Sequence, residues 1–492
     1  MSRGATHSSK HHSFRGELLH HLFSAAVITS VVVWLSAWGV MGALDSQTLL
    51  AVNRFVSLSL PEPPKPSENH PPPEPPLVLT ISKRLYETEF KNTSPLDRAK
   101  LAALLANIKD ANPKLLVLDL DLSPVMPGEK NSQANDLDRL LDEMSSASTA
   151  VVLLVPIFEG TSELSAAQSK WMSDRCPRPE NASKKLYFGL AGLPNEAGVI
   201  LRHPRQYPSI GNVARWAADF DYAAGSAALA SSCHSVPQPD AVCAFVRKNG
   251  RLRDLKRHFS EVARQCGSEP IDFRWMNDTR YEKNHVLELD TLAVPDSNDR
   301  VVFLGASYDG HDLHPTGVGL KDGVVVHAAV FASDTRSVPH ALAALLEVAL
   351  GVLLGSIFAA LWTLRLRATG RYNAELYRKR ALPSVLQWFA STAFLISMIA
   401  VGAISAVVML LVSAGYLGMG VWLNPVPLVL GMAFDGYVVS RQSTATTPTE
   451  HGTLSPGTWK LWIAGNAGFA LGLSLIVITV IKISFEALFA HH

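Results

Sequence analysis

Imidazole and carboxylate side chains crowd together between Ser307 and His314, in the stretch Ser307-Tyr-Asp-Gly-His311-Asp312-Leu-His314. Such groups are the raw material of metal centres and hydrolytic triads. The spacing argues against both. The chain has no G-x-S-x-G nucleophile elbow, and two histidines three apart in a loop lack the fixed i,i+4 geometry of a helical zinc site. A second acidic pair, Asp119 and Asp121, stands at the end of the apolar run beginning at Leu115. Open α/β sheets place their ligand crevices at such strand ends. The pair could bind a cation or a basic ligand, or simply cap neighbouring helix amino termini. Asp119, Asp121, His311, Asp312 and His314 are therefore the candidate ligand- or partner-contacting residues. His327, inside an apolar run, reads as a hydrogen-bonded core histidine. No catalytic residue, metal or cofactor is expected.

The elements that position these residues alternate between helix and strand. Leu77–Ile81 reads as a strand, and Ser94-Pro95-Leu96-Asp97-Arg98 as a helix start with Ser94 capping and Pro95 at the first helical position. Leu101, Leu104, Leu105 and Ile108 share one face of that helix. Leu115–Leu122 reads as a strand, Asp136–Met144 as an amphipathic helix and Ala150–Ile157 as a buried strand. Consecutive β-α-β units predict an α/β domain with a largely parallel sheet and flanking helices.

Composition places that domain beside a membrane. The chain has 492 residues, 48% hydrophobic and 18% charged, too apolar for a wholly water-soluble protein. Five runs approach the ~20 apolar residues that a bilayer core requires: 21–43, 338–364, 386–412, 416–440 and 460–484. Arg3, Lys10 and Arg15 precede the first, and Arg365, Arg367, Arg371, Arg378, Lys379 and Arg380 follow the second. Basic residues in short loops stay cytoplasmic. The expected order is a cytoplasmic tail 1–20, an uncleaved anchor 21–43 and a juxtamembrane segment 44–76. An extracytoplasmic domain 77–337 follows, and inner loops at 365–385 and 441–459. Pro61–Pro76 holds nine prolines in sixteen residues, a semi-rigid spacer reaching up to ~50 Å as polyproline II. A net charge of +1 gives no argument for nucleic acid. Glu347 and Asp435 lie within predicted spans, where ionisable groups are costly and tend to couple helices.

All four cysteines, Cys176, Cys233, Cys243 and Cys266, fall in the proposed exterior segment. That distribution suits an oxidising compartment and up to two disulfides, with three connectivities open.

Val301–Phe331 has a distinctive order: an apolar run through Gly305-Ala306, a polar loop containing Asp312 and Thr316, then Gly323-Val324-Val-Val-His327-Ala328. It resembles the carboxy-terminal edge of the class-two CHASE extracellular sensory domain. The Ser94-Pro95-x-Asp97-Arg98 helix start, the Pro113-Lys114-x-x-x-x-Asp119 strand and the Asp136-Leu137-Asp138-Arg139-Leu140 helix resemble that family too. The resemblance implies a ligand-facing sensor coupled to membrane helices, and an Asp in the 311–316 loop without catalysis. The segment 161–291 departs from the pattern, so ligand specificity does not carry over.

Members of that family usually continue into a cytoplasmic catalytic module. The inner segments of this sequence reach only about 20 residues, far below a domain of 50 or more. No kinase or Walker A pattern occurs. The expectation is a non-enzymatic membrane subunit that signals to a separate effector, with Arg378, Lys379 and Arg380 as a cytoplasmic docking loop. An architectural subunit of a cell-envelope assembly is the alternative. Expected partners are the lipid bilayer and the effector or envelope proteins, and self-association stays open.

Overall fold

The structure is a computed structural model. It describes residues 42–59, 75–124, 132–146, 149–156, 162–176, 184–193, 199–204, 206–218, 239–249, 254–266, 268–276, 285–308, 312–333, 336–337, 407, 410–417 and 421–422. Two compact units divide the chain. One holds residues 53–337 with 417–421, and the other holds the rest.

The described part of the second unit is mostly helical: it takes in the start of α1 (Gly42–Ser59) and most of the helical stretch 410–417. Helix therefore continues across the gap between the predicted runs 386–412 and 416–440. Ser413 and Ala414 are buried there, and a lone Gly415 costs a helix only about 1 kcal/mol. Among the described residues no helix is long and apolar enough to cross a membrane. The five predicted spans lie almost wholly outside those residues.

The larger unit is built on a six-stranded parallel sheet. Its strands are β1 (Leu77–Ile81), β2 (Leu115–Leu118), β3 (Ala150–Leu154), β4 (Leu186–Gly189), β7 (Val286–Leu289) and β8 (Val301–Ala306), in the order β4-β3-β2-β8-β1-β7. β8 enters last and lies centrally, with Leu79 opposite Leu304 on one side and Val117 opposite Phe303 on the other. Short antiparallel pairs join β5 (Arg202–Pro204) to β6 (Ser268–Pro270), and β9 (Leu313–Thr316) to β10 (Gly319–Asp322).

Both faces of the sheet are covered, as parallel sheets require. Leu79, Leu116, Leu153, Phe188 and Leu304 look into one core with Leu104 and Ile108 of α3 (Arg98–Asp110) and Leu137 and Leu141 of α4 (Ser132–Ser146). α5 (Ser162–Arg175), α7 (Ala241–Asn249) and α8 (Leu255–Cys266) supply Met172, Val242 and Phe259 to the same core. A short helix α2 (Lys83–Thr88) follows β1, with Leu85 buried. The opposite face carries α6 (Ile210–Ala218) and α9 (Gly323–Ala332), and Phe331 of α9 meets Phe303 of β8 edge to face.

Local chemistry explains several boundaries. Asp97, rather than Ser94, caps α3: its carboxylate accepts the amides of Ala99 at 2.9 Å and Lys100 at 3.2 Å, leaving Pro95 outside the helix. β2 stops at Leu118, four residues short of the predicted end. Asp121 there turns the chain by accepting the amide of Ser123 at 2.8 Å, an Asx turn that competes with strand pairing. Arg98 closes the next layer. Its guanidinium bonds the carbonyl of Leu122 at 2.6 Å and the carboxylate of Asp138 at 3.3 Å, and Asp138 also takes Arg175 at 2.7 Å and the Trp171 indole at 3.2 Å. One carboxylate thus ties α3, α4 and α5 together. A disulfide, Cys176–Cys243, joins the end of α5 to α7.

Candidate functional site

The site forms at the carboxyl edge of the three central strands. Asp119 follows β2, and its amide still donates to the carbonyl of Leu304 on β8 at 2.8 Å, which fixes it beside the end of β8. The residue is partly exposed. Burial raises its carboxyl to about 7; the charge of Asp312 adds to the rise and His314 opposes it.

Asp312 and His314 come from the entry to a β-hairpin. Asp312 Oδ1 meets His314 Nε2 at 3.1 Å, and this contact raises the imidazole above its ordinary value against the effect of burial. The Asp312 carbonyl accepts the amide of Gly323 at 3.0 Å, and its carboxylate lies where a side chain at position 323 would have to go. Glycine is needed at 323 for that close approach. The carboxylate thereby rests at the amino-terminal end of α9, where the helix dipole favours negative charge.

His327 lies one turn further along α9. Residues four apart share a helix face, and side chains lean toward the helix amino terminus. His327 thus shares a helix face with position 323, where Asp312 sits. Only 3% of the residue is exposed. Burial pulls the imidazole down to about 4, Asp312 works against the fall, and His314 adds to it. A bond to the backbone of Ala191 also favours the protonated ring, so the partner is the carbonyl. Nδ1 is buried without a hydrogen-bond partner.

The structure brings Asp119, Asp312 and His314 together. Asp121 is engaged in its own turn at the same strand end. His311 lies outside the described residues, as do Cys233, Glu347, Asp435, Arg378, Lys379 and Arg380; Cys266 ends α8. The Ser307 hydroxyl donates to the carbonyl of Ile81 at 3.2 Å. Among the described residues no group of three His, Cys, Asp or Glu side chains could hold a metal ion. Lys321 of β10 is buried, and its ammonium is lowered to about 8 by desolvation, with Asp322 opposing. A shallow depression on α4 is lined by Asp138, Arg139, Asp142, Glu143 and Ser146. Its charged groups are already ion-paired.

Two features escaped the sequence reading. The polar segment around Asp312 is a strand of a hairpin, with Pro315 accepting the Ile200 amide at its edge at 2.9 Å. His327 belongs to the cluster rather than only to the core. The Gly323-x-x-x-His327 spacing was the available signal.

The family model of the CHASE2 domain matches residues 26–363. The chain belongs to the CHASE2 family. That family comprises extracellular sensory domains, which agrees with an α/β domain whose central strands present a polar cluster at one edge. No curated protein and no solved structure matches this CHASE2 chain at a significant level.

Proposed function

We propose that this CHASE2 chain is a multi-pass inner-membrane input subunit. Its extracytoplasmic domain binds a ligand or partner at the carboxyl edge and relays occupancy through the following helices to a separate effector protein. The observation that supports the reading is the seat of Asp312 on Gly323. The cluster grips the first turn of α9, and α9 ends only a few residues before the apolar sequence 338–364 begins. Any ligand that displaces the Asp312 carboxylate acts directly on the last helix before that sequence. The chain carries no catalytic function in this reading.

A docking role in an envelope assembly is the second reading, favoured by the outer face of the hairpin. Leu313 and Leu320 are exposed there, Leu320 to 62%. Apolar surface left open in this way suits a protein partner.

The test has two arms. A periplasmic reporter enzyme fused after Ala306 is expected to be active and one after Gly370 silent; the reverse pattern overturns the topology. In native membranes, cross-linked wild-type chain is compared with Asp312→Asn and with Leu320→Ser. An effector whose recovery or activity changes with Asp312→Asn supports the input subunit. Loss confined to Leu320→Ser supports the docking role.

A further inference from the structure

The exit of the larger unit is held from two sides. Ser333, which is buried, caps the end of α9. Its hydroxyl donates to the carbonyl of Ala329 at 2.6 Å and accepts the amide of Asp272 at 2.9 Å, and its carbonyl accepts Arg215 of α6. Asp272 is itself paired with Arg274 at 2.7 Å. Beyond this clamp the chain forms β11 (Arg336–Ser337), which lies beside β6 and pairs with β12 (Val421–Trp422). Residues 417–421 belong to the larger unit although 338–416 intervene, and Leu417 is buried.

The sequence pattern places β12 inside the apolar run 416–440, yet a strand there cannot lie in hydrocarbon. Among the described residues no further strand pairs with β12, so its outer edge carries backbone groups that lipid could not bond. Gly418, Gly420, Pro425 and Pro427 also oppose a helix running through this stretch. We propose that β12 is an extracytoplasmic strap, tying the exit of the sensory domain to the connection between the third and fourth apolar runs. The proposal rests on the input-subunit reading and gives its signal a second route. A shift of α9 reaches 338–364 along the chain and, across the β11–β12 pair, the apolar sequence on either side of β12.

Cysteine cross-linking of the full chain in native membranes tests the strap. Val421→Cys is combined with Arg336→Cys or with Ser337→Cys, treated with a short bismaleimide, and cut at a protease site inserted after Gly370. The native cysteines all lie at or before Cys266, so the only thiol in the second fragment is the introduced one. At least one pair is expected to keep the fragments joined under denaturing conditions. Its yield should exceed that of Val421→Cys alone and of Leu320→Cys with Val421→Cys about tenfold or more, because paired strands give the thiols a high effective concentration. Ser333→Ala, which loosens the inner clamp, is expected to lower the joining about threefold or more, with thermal melting confirming that the domain stays folded. Joining no better than the controls in both combinations overturns the strap. Equal joining when the two cysteines sit on separate, co-expressed copies assigns the pair to exchange between chains and overturns it too. Joining that ignores Ser333→Ala overturns the second route. The topology is read separately: a silent reporter after Ala306 removes the input-subunit reading, whereas an active one without joining removes the strap alone.

Discussion

Asp119 and His327 sit in one cluster, yet their ionisation pulls stability in opposite directions. Burial lifts the Asp119 carboxyl to about 7. The folded protein therefore holds a proton there that the unfolded chain has already released, and this group's contribution falls as pH rises from about 4 to about 7. His327 is lowered to about 4. Its contribution is present above the ordinary imidazole value and is lost as pH falls from about 6.5 toward 4. Asp119→Asn removes the first slope and keeps the second. Urea unfolding of variant and wild type across this window should show a difference growing in the variant's favour. About 2 kcal/mol is expected between the two ends, because each pKa unit is worth about 1.4 kcal/mol and solvent relieves part of the penalty. A difference that stays flat with pH would mean that the carboxyl titrates as it does in water. This arrangement was half legible in the sequence. Asp119, Asp312 and His314 announce themselves as polar residues at strand ends, whereas His327 is hidden in a Val- and Ala-rich run, and only the packing of its helix reveals its buried, unpartnered Nδ1.

Elements were legible wherever a single periodicity ruled. β1 has its predicted bounds, and Leu101, Leu104, Leu105 and Ile108 are all buried on one face of α3. Reading failed where side chains compete for the backbone. Asp97 displaced Ser94 as the cap and Asp121 bent the chain away from β2; both outcomes depend on which polar group reaches an amide first. The cysteines show a similar limit, since their number predicted disulfides but left the connectivity open. Cys176 and Cys243, 67 residues apart, join α5 to α7 beside the Asp138 ion cluster. Closing a loop of that length in the unfolded chain stabilises the fold by about 4 kcal/mol in the chain-entropy account. The double replacement Cys176→Ser, Cys243→Ser should therefore lower the denaturant midpoint and steepen the slope, because the unfolded chain without the cross-link exposes more surface. An unchanged midpoint would show that the bridge is not formed. Thiol counting on denatured, unreduced wild type then separates the remaining pair: two free thiols leave Cys233 and Cys266 reduced, and none means a second bridge.

At the scale of the molecule, the sheet was predictable because β-α-β succession forces parallel strands, but the strand order was not. β8 enters between β1 and β2 from more than 180 residues away in sequence, and no local pattern records such a partner. That late insertion brings the Asp312 hairpin to the end of β2 and sets α9 on the sheet, making the site a property of the completed domain. In the proposed input subunit, the basic segment that follows the second apolar run is where occupancy would leave the domain. Arg365–Arg380 carries six positive charges against Glu375 alone. Such charges fix topology and bind anionic lipid at about 1 kcal/mol each, and the same residues can dock an acidic effector. Neutralising Arg378, Lys379 and Arg380 together, with Arg365 and Arg367 kept to hold orientation, separates these roles. Membrane insertion, read by the fusion after Gly370, should remain unchanged while effector recovery from cross-linked native membranes falls severalfold. If recovery and output both survive, the loop serves lipid and orientation only, and the coupling surface moves to the apolar segments carrying Glu347 and Asp435.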